Sequence, residues 1–189
     1  MADPEQDLLM RVIAGLEASS TSVPSSEGRS LIHQAADAFA RKPARSGSTL
    51  PTGFDPHAAS LFEAVVEASY LVANADGLFD ETERGAFEHV VHQVCKNSVQ
   101  MGELQGPVSD LSDQLAEDGM NQRIEALVRS VQLDDHKREV IRVAALMAHV
   151  SGGVAASERA VLDELATGLG LAGGTLEDVL NEVASALQG

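Results

Sequence analysis

The chain has 189 residues and a formal net charge of −16, and 44% of its residues are hydrophobic while only 3% are aromatic. This length accommodates one domain of ordinary size with an appendage, and this apolar content excludes disorder throughout the chain. Because a strongly acidic surface repels phosphate groups, nucleic-acid binding is excluded, and cations or basic protein surfaces are the favoured ligands. The preference for small, unbranched apolar residues over aromatic ones favours packed helices over a β-rich fold.

Three features of the sequence predict a cytoplasmic protein without a membrane span. A single cysteine, Cys95, excludes an intramolecular disulfide and is typical of a reducing compartment. No apolar run reaches the roughly 20 residues that a membrane-spanning helix needs. The first residues are acidic, whereas a signal peptide begins with a basic segment.

Residues 1–54 are predicted to form an N-terminal extension. Apolar residues recur at helical spacing in two stretches, from about Pro4 to Glu17 and from Arg29 to Arg41. Residues 42–53 are rich in Pro, Gly, Ser and Thr, which is typical of a linker. The sequence leaves open whether this extension packs on the main domain, docks elsewhere or is partly disordered.

Residues 55–189 carry most of the acidity and are predicted to form a compact, all-α bundle in two halves, at about 56–118 and 120–188. Glycine and proline mark the breaks, and no alternating pattern typical of a strand occurs. Short connections favour a bundle of about seven helices. We place these helices near residues 56–74, 81–96, 107–118, 120–132, 135–150, 156–169 and 175–187.

An internal repeat lies within this region. The segment Glu67 to Val94 aligns without gaps on the segment Arg142 to Leu169, with a shift of 75 residues. A shared helix, glycine turn and second helix indicate duplication of one helical unit. The identical pairs are Leu71 and Leu146, Ala73 and Ala148, Gly77 and Gly152, Glu83 and Glu158, and Arg84 and Arg159.

The stretch Ala75 to Arg84, which reads ADGLFDETER, follows a long Ala- and Val-rich helix and resembles the signature of the tellurite-resistance TerB-like family. The resemblance covers about residues 56–188. It implies an all-helical fold whose halves each carry an Asp-Gly turn and an acidic helix start, in an accessory protein of tellurite resistance or a related stress response. In the second half Ser151 and Ala155 replace two of the acids, so we expect any ligand site at the first turn.

The acids of the first turn have two interpretations. Asp80 stands at an N-cap position with Glu83 three residues later, which fits a capping box, and Asp76 can accept bonds from the amides of the turn. Alternatively, Asp76, Asp80, Glu81 and Glu83 supply carboxylate oxygens for a divalent cation, Ca²⁺ or Mg²⁺. The capping interpretation explains Asp76, Asp80 and Glu83 without a ligand, and the loop does not have the spacing of an EF-hand.

A polar stripe runs along the predicted helix that precedes this turn, and it consists of Ser60, Glu63, Glu67, Tyr70 and Asn74. The repeat aligns Arg138 with Glu63 and Arg142 with Glu67, which predicts ion pairs between the halves about a pseudo-two-fold axis. A solvated face is the alternative. Glu63 and Glu67 are the candidate residues for contact with a protein partner.

His89, His92 and Cys95 carry side chains that Zn and Cu prefer. At about 100° per residue, however, a helix places Cys95 beside apolar residues and away from the two histidines. This geometry favours two surface histidines and a half-buried structural cysteine.

No sequence motif indicates catalysis, because the chain has no phosphate-binding loop, no nucleophile elbow and no His-Glu-x-x-His motif. We therefore expect a protein that is not an enzyme. Two functions remain open: an accessory protein whose acidic turn binds a divalent cation or a basic protein partner, and a structural adaptor that organises a protein complex without a metal site. The oligomeric state is not predicted.

Overall fold

The computed structural model describes residues 31–41, 54–79, 81–94, 101–150 and 153–188. These ranges contain eight helices and no strand, which confirms the predicted all-α class. The predicted helix at Pro4 to Glu17 and the predicted linker lie outside the described residues. The helices are α1 (Leu31–Ala40), α2 (Pro56–Ala73), α3 (Glu81–Val94), α4 (Met101–Asp118), α5 (Met120–Ser130), α6 (Asp134–Val150), α7 (Ala156–Gly168) and α8 (Thr175–Gln188).

The centre of the bundle is formed by α2 and α6, which pack against each other. Every residue of α6 from Glu139 to Ala148 is buried, and α2 is buried along most of its length. A helix that is apolar on nearly all sides needs neighbours on all sides. Helices α1, α3, α5 and α7 cover α2, while α3, α7 and α8 cover α6. None of the helices in the described ranges is long and apolar enough to cross a membrane.

Helix α1 shares the core of the main bundle although it lies within the predicted N-terminal extension. Ile32, Ala35 and Ala36 are buried in the same cluster as the residues of α2 and α6. The rings of Phe39 and Phe62 lie 4.6 Å apart between their centroids, at the interface of α1 and α2. Of the three possibilities for the extension, packing on the main domain is the one that α1 adopts.

Helix α4 differs from the prediction because it begins at Met101 and continues through Pro107, where the sequence pattern predicted its start. A proline inside a helix removes one backbone hydrogen bond and disfavours the helical turn before it, which is why it was interpreted as a boundary. The part of α4 after the proline is held by burial of Val108 and partial burial of Leu111 and Leu115 against the core. The helix nevertheless continues from Met101 through Pro107 to Asp118.

The starts of α3 and α7 reproduce the spacing of the sequence repeat. They lie at Glu81 and Ala156, which are 75 residues apart. Each is preceded by a turn with a glycine at positive φ, Gly77 at 82° and Gly153 at 102°. Gly152 lies outside the described residues, and the duplication itself stays a prediction.

Candidate functional site

The acidic turn connects α2 to α3 and is held by its own backbone and side chains. The backbone N–H of Gly77 donates to the carbonyl of Asn74 at 3.1 Å, and its φ of 82° favours glycine. The backbone N–H of Leu78 donates to Oδ1 of Asp76 at 2.9 Å. This hydrogen bond is an Asx turn, so one carboxylate oxygen of Asp76 is already used to shape the chain.

Three aromatic rings attach the turn to the two helices that it connects. The centroid of Phe79 lies 5.0 Å from that of Tyr70 and 6.1 Å from that of Phe87, in edge-to-face arrangements. Tyr70 and Phe87 are buried, and the guanidinium of Arg84 lies 5.5 Å above the ring of Phe79. Such ring pairs and cation–π contacts each stabilise a fold by about 0.5–1.5 kcal/mol. The turn is therefore a rigid part of the bundle.

The outer side of the turn combines an apolar side chain with acids. Leu78 is 67% exposed, and Asp76 and Glu81 on either side of it are also exposed. Glu83 is half-buried, and Asp80 lies outside the described residues. The turn thus presents one large apolar side chain within an acidic rim.

The predicted divalent-cation site gains no geometric support from these residues. Across the described ranges, no three His, Cys, Asp or Glu side chains form a group that could hold a metal ion. Because Asp80 is not among the described residues, the complete set of Asp76, Asp80, Glu81 and Glu83 stays a prediction.

Glu67 contacts a different helix from the one predicted. Its Oε1 accepts hydrogen bonds from Nε and Nη2 of Arg123 in α5, at 2.9 and 2.5 Å. Nη1 of Arg123 also donates to Asp118 at 3.2 Å. Burial raises the pKa of Glu67 even though the guanidinium of Arg123 favours its charged form. Its stripe neighbour Glu63 is exposed.

The arginines predicted to face this stripe instead connect α6 to α8. Nη1 of Arg142 donates to Oε2 of Glu139 at 2.8 Å, and its Nε lies 3.2 Å from Oε1 of Glu182. Nη2 of Arg138 donates to the other carboxylate oxygen of Glu182 at 3.0 Å. Arg142 and Glu139 are each about 5% exposed, and burial raises the pKa of Glu139.

The predicted ion pair between Glu67 and the arginines of α6 is therefore wrong. The prediction assumed that the polar stripes of the two central helices face each other. In the structure α2 and α6 contact each other mainly through apolar residues, and their charged residues point to the outer helices α5 and α8. A buried apolar contact between two central helices costs less than the burial of four charged groups, which explains this arrangement.

The family model described as "Tellurite resistance protein TerB" matches residues 62–184, about two thirds of the chain. The chain belongs to the TerB family. No curated protein and no solved structure matches it. The TerB match contains the acidic turn and both ion-pair networks, whereas α1 and the first residues of α2 precede it.

The second turn of this TerB protein has a different support. The backbone N–H of Ala155 donates to Oε2 of Glu158 at 2.8 Å, so the buried glutamate closes the start of α7. Arg159 pairs with Glu177 of α8 and, at 3.1 Å, with Asp163 of its own helix. The equivalent arginines of the two turns therefore make different contacts, Arg84 with the ring of Phe79 and Arg159 with acids.

The histidines that sequence reasoning associated with a transition metal do not form a metal site in the described part of the TerB protein. His89 and His92 are half-buried on α3, and Nε2 of His89 is buried. The prediction of two surface histidines is thus only partly correct, because both side chains are half-buried, and Cys95 lies outside the described residues.

The aromatic support of the acidic turn was not predicted from the sequence. The chain has one tyrosine and five phenylalanines, and three of these six rings meet at this turn. Concentration of scarce aromatic residues within 18 positions, from Tyr70 to Phe87, is the signal that could have indicated it.

Proposed function

We propose that this TerB protein is a non-enzymatic accessory protein of a tellurite-resistance or related stress-response system, and that its acidic turn binds a basic protein partner. The family membership supports the biological setting. The exposure of Leu78 inside an acidic rim is the observation that carries the proposed mode of action.

The distribution of charge supports a basic partner. Arg123, Arg138, Arg142 and Arg159 are all used in ion pairs within the bundle. Exposed acids are spread over the surface, and those on α4 lie on one face at helical spacing: Asp110, Asp113 and Glu117. Such a surface attracts a basic protein and increases its rate of association.

Leu78 gives this attraction a specific place. In the described ranges Leu78 and Leu133 are the exposed large hydrophobic residues, at 67% and 45%. An apolar side chain on a rigid support is a typical anchor of a protein interface, with polar groups around it. Because the hydrogen bond to Asp76 and the ring contacts of Phe79 hold the backbone on both sides of Leu78, little conformational entropy is lost on binding.

Site-specific photo-crosslinking in the native host tests this proposal. A photoreactive amino acid is placed at Leu78 in one variant and at Leu133 in the control variant, because both positions are exposed. We expect a discrete crosslinked protein at position 78 and none of the same size at position 133. A third variant carries both Asp76→Lys and Glu81→Lys together with the photoreactive residue at position 78.

Charge reversal should abolish the crosslink at position 78, because a basic partner is then repelled by the rim. The same crosslinked species at both positions, or a crosslink that survives the reversal, would contradict the proposal. That second result would favour the alternative of a structural adaptor that does not use the acidic turn.

A further inference from the structure

A cavity of about 250 Å³ lies on the bundle far along α2 from the acidic turn. It is formed by the first turn of α2, the end of α5 and the connection from α5 to α6. His57, Ser60, Arg129 and His136 supply polar side chains to its wall, and Leu61 and Val131 supply part of the apolar floor. A small volume with a few converging polar groups is typical of a site for a small molecule.

His136 is the residue that points to a ligand. It is only 9% exposed, and it lines the cavity. Its backbone N–H donates to Asp135 at 3.0 Å, but its ring has no hydrogen-bond partner in the described part of the chain. Burial lowers the pKa of this imidazole. The ring is held by the surrounding bundle while it lines the cavity, so its nitrogens are available to a ligand there.

The other polar groups of the wall are also available. The guanidinium of Arg129 is 70% exposed, and its ion pair with Glu125 is long, at 3.4 Å. Surface pairs of this kind contribute little, so Arg129 can bind another group at small cost. The side chains of His57 and Ser60 are exposed at the cavity mouth.

We propose that this cavity binds a small anion, whose carboxylate or phosphate oxygens accept hydrogen bonds from His136, His57 and Arg129. Guanidinium and imidazole donors match oxyanions in charge and geometry. Ser60 adds a neutral donor at the mouth. A metal ion is a poorer fit, because the described ranges hold no group of three His, Cys, Asp or Glu side chains for it.

The acids near the cavity keep their negative charge and weaken its attraction for an anion, but their oxygens bind partners of their own and do not line the cavity. Oδ1 of Asp55 accepts the backbone N–H groups of His57 and Ala58, at 2.9 and 3.2 Å, at the start of α2. Asp135 accepts the N–H of His136, and Asp134 pairs with Lys137 at 2.7 Å. Charges farther away than about 8 Å are largely screened at physiological ionic strength.

Anion binding should be linked to proton uptake. The groups that face His136 are Asp135 on its own helix, Asp55 and His57 at the start of α2, and Arg129 across the cavity. A bound anion adds a negative charge beside the ring of His136 and favours its charged form. Because burial lowers the pKa of this ring, we expect tighter binding as the pH falls below the ordinary histidine value of 6.5.

Histidine-ring NMR of the full chain tests the proposal, with inorganic phosphate and succinate as separate probes. We expect saturable shifts of the His57 and His136 ring signals, with a Kd of the order of 1 mM, as is usual for a few charged hydrogen bonds. Arg129→Gln should weaken binding by about tenfold, since a charge-assisted hydrogen bond is lost. Arg159→Gln, which removes a paired surface guanidinium away from the cavity, should leave the affinity unchanged.

The two probes distinguish the source of the oxyanion. Saturation by phosphate alone assigns a phosphate ligand, and saturation by succinate alone assigns a carboxylate ligand. The absence of saturable shifts with both probes up to about 20 mM would overturn the proposal, because it corresponds to less than about 2.5 kcal/mol of binding. Equal affinity of the Arg129→Gln variant and the unchanged protein would overturn it as well.

Discussion

The first helical hairpin, α2 with α3, and the second, α6 with α7, differ in how the turn between their helices is supported. The first turn is held by the ring of Phe79 between Tyr70 and Phe87. At the positions 75 residues later the second has Val154, Ala145 and Leu162, none of which is aromatic, and Glu158 closes its helix start. The helical frame therefore does not depend on particular side chains, and the aromatic support is a special property of the acidic turn.

The two hairpins also differ in the ion pairs that their central helices form. Glu67 and Arg142 are 75 residues apart and have opposite charge, and each connects its central helix to an outer one. Glu67 pairs with Arg123 of α5 at the edge of the bundle, with both side chains about 15% exposed. Arg142 pairs with Glu139 and Glu182 inside the bundle, with its side chain 6% exposed. The charge at each position is opposite to that of its partner on the outer helix, which is Arg123 on α5 for Glu67 and Glu182 on α8 for Arg142.

The largest expected effect comes from loss of the buried ion pair between Arg142 and Glu139. Arg142→Met leaves Glu139 as a buried carboxylate without its main partner, and we expect a loss of about 3–5 kcal/mol in the free energy of unfolding. Arg123→Met affects a pair closer to solvent, and we expect a loss of about 1–2 kcal/mol. Urea unfolding followed by circular dichroism measures both. Equal losses in the two variants would contradict the expectation that the more buried network costs more free energy of unfolding when it is broken.

A second prediction concerns the docking of α7 on α5. A Cβ atom at Gly168 would lie 2.7 Å from Cγ2 of Val128, while the first hairpin has Gln93 at the corresponding position. Gly168→Ala should therefore destabilise the protein by about 1–3 kcal/mol through overpacking.

Gly85→Ala, in α3, is the matched control for Gly168→Ala. A Cβ atom at Gly85 meets no atom within 4 Å, so this helical position should gain about 0.5–1 kcal/mol from the change. Thermal unfolding of both variants measures the effects. A Gly168→Ala variant as stable as the unchanged protein would indicate that α5 and α7 adjust to each other.

A third prediction tests the aromatic support of the first turn. Phe79→Leu keeps an apolar side chain but removes two ring pairs and the contact with Arg84, so we expect a loss of about 0.5–1.5 kcal/mol. Leu78→Ser changes the neighbouring exposed residue and should stay within about 0.5 kcal/mol of the unchanged protein. If both variants lost the same stability, the rings would not be what holds the turn.

The smallest expected effect is on the pH dependence of stability. Burial raises the pKa of Glu67, so the folded state binds this proton more tightly than the unfolded state. The resulting stability is present below the unfolded value near 4.5 and is lost as the pH rises through the raised pKa. Glu67→Gln should remove this part of the decline, as measured by urea unfolding at a series of pH values.

Glu117→Gln, which changes an exposed acid on α4, is the control for this pH series. It should leave the slope of stability against pH nearly as it is in the unchanged protein. An unchanged slope in the Glu67→Gln variant would contradict the account of Glu67 burial.

Sequence patterns predicted the bundle well because helix stops are local. Glycine-containing turns and apolar periodicity placed the starts of α3, α5, α7 and α8 at the residues where the structure has them. The start of α4 was predicted too late, because Pro107 was interpreted as a helix boundary although the helix continues through it. Local spacing likewise predicted that Asp76 can shape its own turn, through the bond to Leu78.

Contacts between distant elements could not be predicted in the same way. The partner of Glu67 depends on the direction in which α5 crosses α2, and no spacing within α2 contains that information. The cavity at His136 is formed by the start of α2 and by a segment about 75 positions later in the chain, which meet only in the folded bundle. Aromatic clustering at the first turn was visible in the sequence, but its geometry was not.

Calorimetric titration of the purified protein with Ca²⁺ and Mg²⁺ tests most directly the central claim that the acidic turn is held by its own contacts and serves a protein partner. The account predicts no saturable heat with either ion, and an unfolding temperature that the ions do not change. A stoichiometric binding heat that is lost in Asp76→Ala but retained in Glu117→Ala would contradict it, and would assign the turn to a divalent cation.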